Sequence, residues 1–245
     1  MKKAFTLIEL AIVLIIIGIL IGTILYATEF RRSAEVRSTM KQLLNYQAAY
    51  NNFQDRYEAR PGDFNRAYDF WPDNCESAEF CNGDGNGYID SNTEAHLAWK
   101  HLGDSGFAPG NFAGQGYGDD DTQKADYNAP YGSLQGTQIT LIYSSLDAFA
   151  PAHYFIIGSF NQGDLGYTAA IKPIYAARMD DKMDDGTPTG ILLGRNGLYN
   201  GDWNLVTCIV DEEGVHVANT DSLDDAIYNE DVDQSKTCVV AFFLD

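Results

Sequence analysis

The residues best suited to chemistry lie in one short loop, in which oxygen-bearing side chains alternate with glycine. Asn82, Asp84 and Asn86 stand at every second position, and Gly87 follows where the chain must turn sharply. Carboxylate, amide and carbonyl oxygens at this spacing suit a hard cation such as Ca²⁺. We therefore expect a calcium site whose ligands are Asn82, Asp84, Asn86, the carbonyl of Tyr88, Asp90 and Glu94.

The order of residues in this loop resembles the first nine positions of an EF-hand or dockerin-type calcium loop, with Ile89 anchoring the loop in the core. An EF-hand loop ends on a bidentate glutamate, which falls one place late here, at Glu94. The loop is therefore a variant of the pattern. The alternative is an ordinary turn of Asp, Gly and Asn residues that holds no metal.

Catalytic motifs are weak by comparison. The segment Gly103–Gly106 resembles a serine-protease nucleophile sequence, but Phe107 replaces the second glycine. His96 and His101 are five positions apart, rather than the four that place two metal ligands on one helix face. The sequence therefore predicts no enzymatic activity.

Charge and proline are unevenly placed along the 245 residues. Residues 1–60 contain no proline and are slightly basic, whereas residues 61–245 hold all seven prolines and most of the acidic side chains. The formal net charge is -19, from 35 acidic residues against 16 lysines and arginines. Nucleic acid is therefore not expected as a partner, because contacts to phosphate need clustered basic side chains.

An uncharged, mostly aliphatic run extends from Leu10 to Thr28, behind two lysines near the N-terminus. As a helix, this run would span roughly 28 Å, about the thickness of the hydrocarbon core of a bilayer. A cleaved signal peptide or a plain signal anchor would also contain such a run. Neither explains Glu9, a carboxylate at the start of the run that needs a partner in an apolar environment.

The residues around Glu9 resemble the class III signal of type IV pilins and pseudopilins. That signal is a short basic leader with a small last residue, followed by Phe-Thr-Leu-Ile-Glu and an apolar helix. The resemblance implies that prepilin peptidase cuts between Ala4 and Phe5 and that the new Phe5 amine is methylated. Family leaders usually end in glycine, so Ala4 departs from the pattern.

The same resemblance implies that Glu9 acts in filament assembly. Its carboxylate would meet the positive amine of Phe5 in a neighbouring subunit, and in a low dielectric such a pair fixes axial register. The implied partners are identical or related pilin subunits, prepilin peptidase and the assembly machinery of the inner membrane. The implied location is the inner membrane before assembly, and then an extracellular pilus or a periplasmic pseudopilus.

The elements that must position these residues divide the chain into four parts: a leader (1–4), a transmembrane or filament-core helix (5–28), an amphipathic helix (29–60) and a globular head (61–245). Apolar residues at spacings of three and four predict one continuous helix from about Thr6 to about Arg56. Short apolar runs predict strands over 138–144, 153–160, 205–210 and 237–244, and a helix over 167–185. A long helix packed on an antiparallel sheet is an α+β fold, which the pilin family also implies.

Four cysteines follow the apolar run, in what would be an oxidising compartment. Four cysteines allow three disulfide connectivities. We favour Cys75 with Cys81, which closes a small loop, and Cys208 with Cys238, which resembles the C-terminal disulfide loop of many pilins. Zinc is the alternative, but the sequence has no Cys-x-x-Cys pair.

Several pilin-like proteins carry the glycine-rich loop together with a later acidic segment, which Asp180–Gly186 matches here, and Pro61–Asp63 resembles their loop after the long helix. The acidic segment is typical of a helix end that runs into a turn, with carboxylates that bind water or an ion. A third acidic cluster, Asp119–Asp121, is most simply a solvated loop.

The sequence thus predicts a structural subunit, a pilin of a type IV pilus-like surface filament. One alternative is a type II secretion pseudopilin, which the motifs do not separate from a pilin. The other is a membrane-anchored, calcium-dependent adhesin or binding module with an aromatic-rich head.

Overall fold

The computed structural model describes residues 7–114, 128–144, 151–159, 168–188, 192–196, 208–211, 213, 226–229 and 237–244. The helices are α1 Leu7–Tyr57, α2 Ala67–Phe70, α3 Ala78–Cys81, α4 Asn92–Asp104 and α5 Pro173–Met183, with a 3₁₀ turn at Pro72–Asn74. The strands are β1 Gln138–Ser144, β2 Ala152–Gly158, β3 Leu192–Asn196, β4 Ile209–Val210, β5 Ile227–Tyr228 and β6 Cys238–Phe243. The predicted α+β class is confirmed.

The long helix α1 is continuous over its 51 residues, as the sequence predicts. Its second half packs on the head, where Val36, Leu43 and Phe53 are completely buried. Its first half has no such cover, since the large aliphatic side chains from Leu7 to Ile24 that the structure describes are 45–88% exposed. One helix therefore has two different surroundings.

Four strands form an antiparallel sheet in the order β1-β2-β6-β3. The central strand β2 is buried at all seven positions, as its run of aromatic and β-branched residues favours. The buried Trp99 of α4 joins the layers, because its ring contacts Tyr46 of α1 (4.8 Å between centroids) and Phe155 of β2 (5.9 Å). The helices α1 and α4 thus lie on the sheet in one shared core.

The predicted strands 138–144, 153–160 and 237–244 correspond to β1, β2 and β6. Of the strand predicted over 205–210, the structure describes only 208–210, and Ile209 and Val210 pair with β5. Residue 160 also lies outside the described part of the chain, as does the acidic cluster at 119–121. Strands β3 and β5 were not predicted from the sequence.

The helix predicted over 167–185 is present as α5, but it is shorter than predicted, and residue 167 lies outside the described residues. The observed α5 begins at Pro173, a residue suited to the first turn of a helix because its missing N–H has no helical partner there. Thr168 and Ile171 instead form β-bridges with Ser159 and Cys238. At the other end, α5 stops at Met183. Pairing with distant strands therefore decided the structure of residues 168–171.

Both disulfides are present with the favoured pairing. Cys75 bonds to Cys81 and joins the 3₁₀ turn to α3. Cys208 bonds to Cys238 and joins the start of β6 to the residue before β4. In the chain-entropy model, loops of these lengths stabilise the fold by about 2 and about 4 kcal/mol.

Candidate functional site

The first candidate site is the N-terminal half of α1. Among the described residues, one helical stretch, Leu7–Ile24, is long and apolar enough to span a membrane, and none of it is buried inside the subunit. Glu9 lies in the first turn of this helix. The predicted processing residues Ala4 and Phe5 lie outside the described residues.

The second candidate site is a group of three carboxylates, Asp63, Asp84 and Glu94, which we call the loop cluster. One oxygen of each lies within 4.8 Å of those of the other two. Asp63 lies in the turn after α1, Asp84 in the loop after α3, and Glu94 in the first turn of α4. Asp63 and Glu94 are each only 4% exposed. Three separate segments therefore bring negative charge to one place.

Helix α4 positions Glu94. Ser91 caps the helix and accepts a hydrogen bond from the Glu94 N–H (3.1 Å). The Glu94 carboxylate turns back to accept the amides of Asp84 (3.1 Å) and Asp90 (3.2 Å). This is a variant of the capping box, in which the glutamate would accept the N–H of the capping residue itself. Glu94 thus fastens the glycine-rich loop onto the start of α4.

Two glycines allow Asp63 to approach this loop. Gly62 has a positive φ of 97°, and a Cβ there would lie 2.5 Å from the carbonyl oxygen of Glu94. A Cβ at Gly83 would clash with the carbonyl oxygen of Gly62. Only residues without a side chain can bring these backbones so close. As a result, the Asp63 Oδ2 accepts the Gly87 N–H at 2.9 Å.

The second oxygen of Asp63 has no such donor. Among the described residues, no hydrogen-bond partner contacts this buried Oδ1. Burial raises the pKa of both Asp63 and Glu94, and the charge of Asp84 adds to the rise, although backbone amides oppose it. None of the ion pairs in the described part of the chain involves these three carboxylates. Backbone amides therefore compensate the charge only in part, and a proton or a cation would complete the compensation.

The donor set and its size fit a calcium ion. Oxygens that lie within 4.8 Å of one another can all touch one ion, because Ca–O distances are about 2.3–2.6 Å. Asp63, Asp84 and Glu94 would hold the ion, and it would supply positive charge to a buried acidic group.

The other predicted ligands shape the loop. The Asn82 Oδ1 accepts the Tyr68 N–H (2.9 Å), and the Asn86 Oδ1 accepts the Tyr88 N–H (2.7 Å). The Asn86 Nδ2 donates to Asp84 (3.0 Å) and to Asp90 (3.3 Å). The predicted anchor Ile89 is completely buried. Of the three predicted carboxylate ligands, the structure therefore brings Asp84 and Glu94, but not Asp90, into the cluster.

Sequence reasoning did not identify Asp63 as a candidate ligand. Ligand spacing within a loop is a local signal, whereas Asp63 reaches the loop only through the fold. The one available signal was the resemblance of Pro61–Asp63 to the loop that follows the long helix in pilin-like proteins.

The N-terminal segment, which includes the first candidate site, matches a known family model. Residues 1–25 match the model of the prokaryotic N-terminal methylation motif, which is the prepilin signal of type IV pilins and pseudopilins. Comparisons with curated proteins and with solved structures found no match. The matched segment includes Ala4, Phe5 and Glu9, but it does not extend to the head. Proteins with this signal are structural subunits rather than enzymes. Residues 1–25 are therefore the prepilin signal of a type IV pilin-like or pseudopilin precursor.

Proposed function

We propose that this chain is the structural subunit, a pilin, of a type IV pilus-like filament on the cell surface. Prepilin peptidase removes residues 1–4, and the mature chain begins at a methylated Phe5. The proposal is carried by one observation: the apolar first half of α1 is exposed, whereas the second half of the same helix is buried in the head. The subunit thus presents a large apolar surface that the described part of the chain leaves uncovered.

The physical driving force for assembly lies in that surface. Burial of a large aliphatic side chain contributes about 1.5–3 kcal/mol relative to its exposure to water. In the inner membrane, lipid covers Leu7–Ile24, whose 18 residues span about 27 Å as a helix. In a filament, the same helices of neighbouring subunits take the place of lipid.

Glu9 sets the register of that packing. An ion moved into an apolar core loses its hydration, and an oppositely charged partner compensates only at close range. The Phe5 amine created by cleavage supplies that partner in a neighbouring subunit. A subunit shifted along the axis would leave both charges unpaired, so the pair selects one axial position.

The head binds calcium at the loop cluster in this proposal. The buried Asp63 and Glu94 support it, because both carry an elevated pKa that a cation would reverse. Extracellular calcium is abundant enough to fill sites of millimolar affinity. The ion holds the turn after α1, the glycine-rich loop and α4 together, and so stabilises the outward-facing part of the subunit.

Assembly is tested with Glu9→Ala and a matched control, Glu35→Ala, in the half of α1 that packs on the head. Wild-type and Glu35→Ala chains are expected in filaments sheared from cells, whereas Glu9→Ala is expected to remain in the membrane. Intact mass should show a chain that begins at methylated Phe5. Filaments of Glu9→Ala, or a mature chain that still begins at Met1, would contradict the proposal.

Calcium binding is tested by the melting temperature of the full mature chain in detergent. Added Ca²⁺ should raise it, since a ligand at 100 times its Kd stabilises the native state by about 2.7 kcal/mol. Asp84→Asn and Asp63→Asn should each reduce the rise. Asp69→Asn is the control, because that exposed residue of α2 pairs with Arg66 outside the cluster. An unchanged melting temperature of the wild type in Ca²⁺ would remove the metal from the proposal.

A type II secretion pseudopilin is the second candidate, because residues 1–25 carry a signal that pilins and pseudopilins share. The same shearing experiment separates the two. A pilin is recovered from the cell surface, whereas a pseudopilin stays in the periplasm.

A further inference from the structure

A second group of carboxylates lies at the C-terminal end of α5, and we call it the α5 cluster. It consists of Asp180 in the last turns of the helix, Asp184 at its C-cap and Asp185 beyond it. One oxygen of each lies within 4.8 Å of those of the other two. The proposed pilin function makes no use of this group.

Asp180 is the residue that points to a ligand. Its side chain is completely buried, and its Oδ2 accepts a hydrogen bond of 2.5 Å from the Tyr228 hydroxyl. Its Oδ1 accepts no hydrogen bond from any residue that the structure describes. A buried carboxylate oxygen without a donor is costly, and the other acids of the cluster lie beside it. The side that Tyr228 leaves open therefore suits a positive charge.

The position of the cluster on the helix adds to this need. The C-terminus of a helix carries a partial negative charge, so carboxylates there are unfavourable unless something neutralises them.

Asp185 is also held in place. Its Oδ1 accepts the N–H (2.9 Å) and the hydroxyl (2.7 Å) of Thr187. Gly186, with a φ of 82°, forms the turn that allows this arrangement. The second oxygen of Asp185 thus keeps a fixed position at the helix end.

We propose that the α5 cluster is a second divalent-cation site, which binds Ca²⁺ through Asp180, Asp184 and Asp185. The ligands are all oxygens, as a hard cation requires. Oxygens within 4.8 Å of one another can all touch one Ca²⁺, because Ca–O distances are about 2.3–2.6 Å. Magnesium is expected to bind more weakly, because it demands a near-ideal octahedron and dehydrates reluctantly.

The bound ion connects α5 to the sheet through Tyr228. This residue belongs to β5, and its ring occupies the space where a Cβ of Gly194 would lie. Gly194 belongs to β3, the edge strand of the four-stranded sheet. An ion on Asp180 thus fixes the hydroxyl that joins α5, β5 and β3.

Isothermal titration calorimetry with CaCl₂ on the full mature chain in detergent tests this proposal. Asp84→Asn disables the loop cluster and should leave one calcium per chain. Asp84→Asn with Asp185→Asn should leave none, because the substituted amide keeps an acceptor for Thr187 but carries no charge. Asp84→Asn with Asp181→Asn is the matched control, since Asp181 is an exposed acid outside the cluster, and it should still bind one calcium.

Two outcomes would overturn the proposal: an Asp84→Asn chain that binds no calcium, or a double variant with Asp185→Asn that binds as much as its Asp181→Asn control. Far-ultraviolet circular dichroism establishes that each variant is folded.

Tyr228→Phe in the Asp84→Asn chain gives a second measurement. It keeps the ring on Gly194 and should weaken calcium binding several-fold, because Asp180 loses the hydroxyl that holds its carboxylate in place. An unchanged affinity in this variant would also count against Asp180 as a ligand. Filament assembly is measured separately, so a failure here leaves the proposed pilin function standing.

Discussion

The two halves of α1 share one unbroken helix but differ completely in what surrounds them. Between Leu7 and Ile24 the described large aliphatic side chains are 45–88% exposed, whereas Val36, Leu43 and Phe53 are completely buried. The first half is apolar on all sides, and the second half is apolar along one stripe. A stripe needs one neighbour, which the head supplies. A helix that is apolar all round needs neighbours on every side, which the described part of the chain does not supply and which lipid or other subunits would provide.

The largest expected effect comes from deletion of residues 1–30. The full chain should require detergent to stay dispersed, whereas the shortened chain should be monodisperse in water, because the uncovered apolar surface is gone. Its melting temperature should match that of the full chain within about 3 °C, since the packed half of α1 is intact. Size-exclusion chromatography and thermal unfolding measure both properties.

A longer deletion provides the control for this comparison. Deletion of residues 1–45 also removes Val36 and Leu43 from the core, so this chain should not fold. If the shorter deletion unfolded the head as well, the two halves would not be independent, and the comparison would fail.

Single substitutions in the two halves of α1 should change the free energy of unfolding by very different amounts. Phe53→Ala removes a ring that contacts Tyr57 (4.6 Å between centroids) and Phe64 (5.8 Å), so it should lower the free energy of unfolding by about 3–5 kcal/mol. Ile16→Ala, in the exposed half, should change it by less than about 0.5 kcal/mol. Urea unfolding of the full chain in mild detergent measures both. Equal losses in the two variants would show that the first half also packs within the subunit.

The same division explains what could be predicted from the sequence. The helix α1 and strand β1 are local patterns, read from apolar spacing and from turn residues at their ends. The start of α5 could not be read in this way, because Ile171 pairs with Cys238, far away in the sequence. The loop cluster shows the same limit. Asp84 and Glu94 lie in a local sequence motif, whereas Asp63 reaches the cluster only because the backbone at Gly62 packs closely against Glu94.

Acid should lower the free energy of unfolding of the head, through a buried histidine that contacts the packed half of α1. His101 lies parallel to Phe53 (6.1 Å between ring centroids), accepts the Gly62 N–H at Nδ1 and meets the Cys81 carbonyl at Nε2. Burial lowers its pKa to about 4, so the folded protein keeps the imidazole neutral where the unfolded chain already takes up a proton. The neutral imidazole therefore makes its full contribution to the free energy of unfolding above pH 6.5. As the pH falls from 6.5 toward 4, this free energy decreases by about 3 kcal/mol.

His101→Gln isolates this contribution. The variant should be less stable than the wild type at pH 7, yet lose about 3 kcal/mol less between pH 7 and pH 4, because glutamine does not titrate. Urea unfolding at several pH values measures the difference between the two chains, in which the other titrating groups largely cancel. If both chains lost stability equally, His101 would not be the group responsible.

The smallest effect is expected at the boundary between the halves. Arg31 and Glu35 form an i,i+4 ion pair of 2.8 Å, with side chains 74% and 23% exposed. Water and salt screen such a pair, so Arg31→Ala should change the free energy of unfolding by less than about 0.5 kcal/mol.

The buried Lys100–Asp104 pair of α4 is the contrasting case. It has the same spacing, but its side chains are only 7% and 8% exposed. Lys100→Ala should therefore cost several kcal/mol, because it leaves a buried carboxylate without its cation. A loss above about 1 kcal/mol for Arg31→Ala would move the boundary of the packed half toward the N-terminus, since only a pair shielded from water could contribute so much.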